Sequence, residues 1–199
     1  MNHDLKDFLA QLLNGQDLTE DQSEELMTAL AAGSVEPALA GALLVSLRMK
    51  GESAEEVRGF ANGMRKAAKE VVLENSSELI DIVGTGGDGS HSFNISTGAA
   101  LLSAACGLKV AKHGNRSVSS KSGSADLLEF LGYRFPMDAD GVKAQIKKNG
   151  FSFLFAPNFH PAMKHIAPIR QALKARTVFN ILGPLTNPAN PSFYLLGAF

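Results

Sequence analysis

Apolar residues recur at helical spacing through the first third of the chain, then change after residue 78 to short runs separated by polar turns. Leu5, Phe8, Leu9, Leu12 and Leu13 follow the i, i+3, i+4, i+7 pattern and predict an amphipathic helix over residues 4–14, ended by Asn14-Gly15. Thr19-Glu-Asp-Gln22 reads as a capping box opening a helix to Ala32, with Gly33 as its stop. Ser34 to Met49 is a nearly all-apolar helix closed by Lys50-Gly51, and Ser53-Ala-Glu-Glu56 caps a fourth helix reaching to about Val71. Four short-linked helices predict a small helical domain over residues 1–71, read as scaffold or subunit contact. Its apolar third helix is either the core of that domain or a dimer interface.

From Leu79 the pattern becomes an alternation of strands and helices. Leu79–Val83, Leu108–Lys112 and Phe151–Phe155 read as strands. Gly98–Ala105, Ser124–Leu131, Gly141–Asn149, Pro161–His165 and Pro168–Ala175 read as helices, while Val178–Leu182 is ambiguous. Such alternation implies a mainly parallel sheet with crossover helices. The expected fold class is α/β: a helical N-terminal domain followed by an α/β domain over residues 78–199, with parts of 161–187 free to pack with the helices. Phe193 to Phe199 looks like the beginning of another central strand, whose apolar edge belongs to a longer protein or lies under a partner.

The chemistry gathers where the first strand ends. Leu79–Val83 runs into Gly84-Thr-Gly86-Gly87-Asp88-Gly89, and Asn94-Ile95-Ser96-Thr97 then opens a helix. Glycines let backbone N–H groups approach a phosphate, and the free amides of a helix start favour negative charge. Gly84-x-Gly86-x-x-Gly89 also fits a dinucleotide fingerprint, but that fingerprint needs an acid about twenty residues on. No Asp or Glu occurs from Gly89 through Ala125, so a nicotinamide or flavin site is set aside in favour of a phosphorylated ligand.

Charge sharpens that choice. Residues 1–82 carry fifteen acids against seven Lys/Arg, and residues 83–199 twelve Lys/Arg against five acids, although the whole chain is near neutral at −1. A basic second part suits an anionic ligand, and its singly spaced cations suit a small molecule better than nucleic acid. The 45% hydrophobic and 20% charged composition is that of a globular protein; the apolar runs are too short to span a membrane, and a cytoplasmic location is expected. The single Cys106, among Ala and Leu, is expected to fill core space.

A second polar run, Lys112-His113-Gly114-Asn115-Arg116-Ser117-Val118-Ser119-Ser120-Lys121-Ser122-Gly123-Ser124, places three fixed cations, a histidine and five hydroxyls between a strand and a helix. Those donors suit phosphate oxygens, although the run is not a P-loop. His113 alone would pass as a structural residue.

Together, Gly-Thr-Gly-Gly-Asp at 84–88, Asn-Ile-Ser-Thr at 94–97 and Lys-His-Gly-Asn-Arg with Ser-Val-Ser-Ser at 112–120 resemble the anthranilate phosphoribosyltransferases. Ser-Gly-Ser-Ala-Asp at 122–126, His160-Pro-Ala-Met and Asn180-Ile-Leu-Gly-Pro-Leu-Thr-Asn187-Pro extend the resemblance along the chain. It implies the nucleoside phosphorylase/phosphoribosyltransferase-like fold. It also implies transfer of a phosphoribosyl group from phosphoribosyl pyrophosphate to anthranilate, in tryptophan biosynthesis, with Mg²⁺ and with a homodimer formed through the helical domain.

By that resemblance Gly84, Gly87, Asp88, Ser92, Asn94, Ile95, Ser96, Thr97, the run Lys112 to Ser120, and Ser124 would bind phosphoribosyl pyrophosphate. Ser92 stands where the family is expected to have Thr. Ser96 would touch Mg²⁺, and Gly84, Asn115 and Arg170 would contact anthranilate. Lys112 would stabilise leaving pyrophosphate, with His113 orienting. The family is longer and carries a later Asp-Glu pair on Mg²⁺; this chain has no acid after Asp140, so it is expected to be an N-terminal portion. A pyrimidine nucleoside phosphorylase shares the architecture but differs in its glycine-rich loop. A nucleic-acid-binding relative would carry denser basic clusters.

Overall fold

A computed structural model describes residues 4–73, 76–85, 93–116 and 122–198. In chain order the elements are α1 (Leu5–Leu13), α2 (Glu20–Ala32), α3 (Pro37–Lys50), α4 (Ala54–Lys66), β1 (Leu79–Gly84), α5 (Ile95–Ala105) and β2 (Lys109–Gly114). They continue as α6 (Ser124–Phe130), α7 (Ala139–Asn149), β3 (Phe151–Phe155), α8 (Ala156–Phe159), α9 (Met163–Leu173), α10 (Phe179–Leu182) and β4 (Phe193–Gly197). The chain divides into two compact units, Met1–Ala68 with His160–Leu185, and Lys69–Phe159 with Thr186–Phe199. No helix among the described residues is long and apolar enough to cross a membrane.

The helical unit is built on one apolar core. Leu26, Leu30, Leu43, Leu44, Leu47 and Phe60 are buried in it with Ile166, Val178 and Phe179 from the later segment. Both sequence-read capping boxes form: Thr19 Oγ1 accepts from the Gln22 amide, and Ser53 Oγ from the Glu56 amide. Gly59 is demanded by close packing of α4 on α2, because a Cβ there would lie 2.2 Å from the Glu20 carbonyl oxygen. On α3 the buried face is Ala40, Leu43, Leu44 and Leu47, whereas Met49 remains 83% exposed.

The α/β unit is a four-stranded parallel sheet in the order β3-β2-β1-β4. Strand alternation sends Ile82, Val110, Phe151 and Phe153 to the face with Ala100 of α5 and Leu128 of α6. The other face carries Leu79, Ala111 and Leu154 with Val142 of α7 and Phe159 of α8. Pairing is uneven. β1 pairs with β4 from Ile80↔Phe193 to Gly84↔Gly197, and β2 with β3 from Val110↔Phe151 to Gly114↔Phe155. Between β1 and β2 the register holds at Leu79↔Lys109 and Ile80↔Val110 only, so these two strands part toward their carboxyl ends.

Several local expectations are corrected. Helix α4 stops at Lys66 instead of Val71, because the Lys69 and Val71 amides donate to the Phe159 and Pro188 carbonyls. The two helices expected around Pro161–His165 and Pro168–Ala175 are one, α9, with Pro168 inside it. The hydrogen bond that the proline removes is outweighed by burial of Ile166 and packing of Ile169 and Leu173 on the helical core. Cys106 is not a core filler: it caps the carboxyl end of α5 and is exposed. Strand β4 is an exposed edge, with Phe193 58% and Leu195 59% accessible.

Candidate active site

The carboxyl ends of β1 and β2 deliver the two polar runs. Gly84 ends β1, and the following Thr85 amide donates to the Gly197 carbonyl of β4 at 3.0 Å, extending the β1–β4 pairing one residue past the strand end. Strand order reverses at β1, since β2 and β3 lie to one side and β4 to the other. In open α/β sheets the crevice at such a switch point, beyond the strand carboxyl ends, is where ligands bind. Gly87, Asp88 and Ser92 lie outside the described residues, as do Ser117, Val118, Ser119 and Ser120.

Beyond the loop, Asn94 stands at the N-cap of α5, and Ile95, Ser96 and Thr97 form its first turn, three residues earlier than the Gly98 start. Asn94 does not cap the helix with its side chain; its Nδ2 donates instead to the Gly123 carbonyl at 3.3 Å, tying α5 to the start of α6. The Thr97 hydroxyl is buried with no hydrogen-bond partner among the described residues. Free amides at a helix start beside a buried hydroxyl are groups of the kind that suit an oxyanion.

Gly114, at the end of β2, must be glycine because a Cβ there would stand 2.7 Å from the Phe153 ring. Asn115 folds the chain back: its Oδ1 accepts from the Arg116 amide at 2.7 Å and its carbonyl from the Ala125 amide at 3.3 Å. Ser124 opens α6, where the Asp126 carboxylate accepts from the Gly123 amide.

The two cations of the second run among the described residues, Arg116 and Lys112, are already engaged. The Arg116 guanidinium makes a two-pronged pair with Glu129 at 2.7 and 3.0 Å, reaches Asp126 at 3.0 Å and lies over the Phe155 ring. The Glu129 carboxyl is held below its usual range by those hydrogen bonds. Lys112 is 2% exposed, and its ammonium donates to the Ile82 carbonyl between the parting strands. In this structure the Lys112 ammonium is thus turned to the β1 backbone. Burial pulls its pKa down while the Asp81 charge holds it up. His113 is buried, and its amide donates to Asp81 Oδ1 at 3.3 Å.

Arg170 belongs to the helical unit, half-buried on α9 with its guanidinium 5.7 Å from the centre of the Phe179 ring. Burial lowers its pKa, and no carboxylate among the described residues pairs with it.

Two residues that the sequence reading left without a role sit at the heart of the site. Asp81 is fully buried between β1 and β2, and the buried Asn187 donates to its Oδ2 at 2.9 Å and to the Ala111 carbonyl at 2.8 Å. Burial pushes the Asp81 carboxyl up to about 6, against the pull of Asn187, Lys112 and the His113 and Ile82 amides. The available signal was an acid inside an apolar strand, since a charge is seldom buried without partners or purpose.

A parallel α/β sheet whose first strand precedes a glycine-rich segment and a helix start, in one chain with a helical bundle, defines a two-domain class of fold. Residues 76–199 match the α/β domain of the glycosyl transferase family, and residues 6–68 its helical bundle domain. The chain belongs to that family.

Its curated relatives are more specific. It is 48% identical over 198 residues to the anthranilate phosphoribosyltransferase of Shewanella frigidimarina, covering 98% of this chain and 57% of that protein. It is 51% identical over 193 residues to that of Dehalococcoides mccartyi, covering 97% of this chain and 56% of the relative. Among solved structures, the Thermus thermophilus anthranilate phosphoribosyltransferase superposes with a TM-score of 0.85 at 48% identity, over 97% of this chain and 58% of that one. The Saccharomyces cerevisiae enzyme in complex with PRPP and Mg gives 0.87 at 32% identity, over 98% and 58%. The chain thus spans little more than half the length of the relatives it matches.

Proposed function

We propose that the chain provides the phosphoribosyl pyrophosphate site of an anthranilate phosphoribosyltransferase, giving N-(5-phosphoribosyl)anthranilate and pyrophosphate. The observation that carries this is the joint presentation of the β1 loop root, the α5 start and the β2 loop root by the ends of neighbouring parallel strands. Its likeness to the yeast enzyme with PRPP and Mg supports the choice of ligand.

In this reading the first turn of α5 binds a phosphate through backbone amides and the Thr97 hydroxyl, while Gly114 and Asn115 approach the remainder of the ligand. Displacement at the anomeric carbon develops oxocarbenium character in the ribose and negative charge on the departing pyrophosphate. Fixed amide dipoles at the helix start stabilise that charge without reorganising. The amine of anthranilate is neutral at pH 7, so attack requires no strong base. Arg170, a guanidinium without a carboxylate partner among the described residues, is assigned to the anthranilate carboxylate through a bidentate pair. Lys112 acts through the β1 backbone that it holds, and Arg116 through α6.

Among the described residues no three His, Cys, Asp or Glu side chains gather into a metal site. The Ser96 hydroxyl, in the first turn of α5, would offer Mg²⁺ a protein oxygen ligand. When bound, the ion supplies positive charge opposite the developing pyrophosphate. The proposal includes a cytoplasmic setting and a homodimer through the helical unit, where Leu13 of α1 and Met49 of α3 stand exposed.

Calorimetric titration of phosphoribosyl pyrophosphate with Mg²⁺ into the chain tests the reading. Saturable binding of one ligand per chain, competed by pyrophosphate, is expected. Absence of heat at millimolar ligand, from a chain shown to be folded, would count against it.

A further inference from the structure

We propose that Asp81 is a positioning residue, holding the diverging ends of β1 and β2, at Gly84 and Gly114, at the spacing from which these ends address one phosphorylated ligand. The identity of that ligand rests on the function proposed above; the holding of the strands does not.

The β1–β2 ladder ends after Ile80↔Val110, although the ladders on either side run on to Gly84↔Gly197 and Gly114↔Phe155. Beyond that point side chains take over from backbone pairing. The His113 amide, which faces the gap, donates to Asp81 Oδ1. The Ala111 carbonyl is taken by Asn187 Nδ2, whose other hydrogen goes to Asp81 Oδ2, and Asn187 Oδ1 accepts from the Ala189 amide at 2.9 Å. The Ile82 carbonyl is taken by Lys112. Asp81 and Asn187 thus form a polar plug in a gap that two apolar side chains would leave full of unsatisfied backbone groups.

The place of the plug gives it a role beyond stability. Asp81 lies three residues before the β1 loop root at Gly84, and His113 directly precedes the β2 loop root at Gly114. Strand β4 already fixes Gly84 on its other side. The spacing between the two roots is consequently set through the carboxylate. Only an acceptor fits there, because the Asn187 side chain and the His113 and Ile82 amides all bring hydrogens to it.

Asp81→Asn is the test, since it keeps the shape but sets an NH₂ group against one of those donors. Loss of one such charge-assisted bond corresponds to about a tenfold effect or more. Amide exchange at His113 should accelerate by at least about tenfold, while α2 amides stay at wild-type rates. Affinity for Mg²⁺–phosphoribosyl pyrophosphate should fall by a similar factor.

Should Asp81→Asn not fold, Asn187→Ala removes the clamp without creating a donor conflict and should also speed His113 exchange. Wild-type exchange at His113 in a folded variant overturns the proposal. If the wild-type chain binds no phosphoribosyl pyrophosphate while the exchange change appears, the ligand assignment fails and the role of Asp81 in holding the strands stands.

Discussion

Among the described residues each unit buries one carboxylate completely, and the two are used in opposite ways. Glu56 in the helical unit accepts from the Leu18 amide at 2.9 Å, the Ser53 amide at 2.8 Å and the Lys50 ammonium at 2.9 Å. Burial works against the Lys50 charge, but hydrogen bonds to Asp17 and Glu56 hold its pKa above the ordinary value. Every bond to Glu56 fastens one part of the helical scaffold to another. Asp81 in the α/β unit has partners too, yet burial outweighs them and its carboxyl titrates near 6. Its bonds fasten the roots of two loops. A buried charge with an ammonium in direct contact serves the fold, whereas one that is left costly marks where spacing matters more than stability.

Glu56→Ala should produce the largest loss. It strands the buried Leu18 amide and the half-buried Ser53 amide and leaves the Lys50 ammonium with Asp17 as its one carboxylate partner, a break worth about 3 kcal/mol. Urea unfolding of the helical unit should show it, with ligand affinity of the still-folded fraction unchanged. A loss below about 1 kcal/mol would make Glu56 an ordinary surface-like pair.

The pH dependence of stability separates the two carboxylates. Asp81 binds its proton more tightly when folded, at about 6 against an ordinary 3.8. Its contribution to stability is greatest below pH 4, declines as pH rises to about 6, and is constant above that, a change on the order of 2–3 kcal/mol. Lys112 is the charged group facing it, and His113 shares its strand face. Unfolding free energies across pH 4–7 should show this decline in the wild type and lose it in Asp81→Asn. Identical slopes in both would remove Asp81 as the source.

Smaller effects bracket the scale. Gly114→Ala forces the Phe153 ring aside and should cost about 1–3 kcal/mol, the usual range for overpacking, with weaker ligand binding because the backbone at the loop root must shift. Lys66→Met breaks the exposed pair with Glu24 on the helical unit and should cost less than about 1 kcal/mol. Thermal melting of the two variants side by side would reveal a reversed order.

Much of the fold was legible because it rests on local chemistry. The capping boxes at Thr19 and Ser53, the glycine stop at Gly33 and the apolar runs of β1 and β3 each form where the residues say. The errors arose where distant partners decide. Val71 leaves its helix for the Pro188 carbonyl, Pro168 stays in one because Ile166 is buried, and Cys106 turns outward at a helix end. The same holds for the site. Glycines and the Asn94–Thr97 helix start can be read from spacing, but the bond between Asp81 and Asn187 joins residues 106 positions apart. That Lys112 points into the sheet depends on the parting of β1 from β2, which no local pattern records.

Residue-resolved titration of the chain with Mg²⁺–phosphoribosyl pyrophosphate, followed by backbone amide resonances, tests the central claim most directly. Binding at the strand ends should move the amides of Thr85, Ile95–Gly98 and Gly114–Arg116 together, with a single affinity, and leave α2 and α4 still. Saturable binding whose shifts fall elsewhere, with those three groups unmoved, would contradict a phosphate site at the ends of β1 and β2.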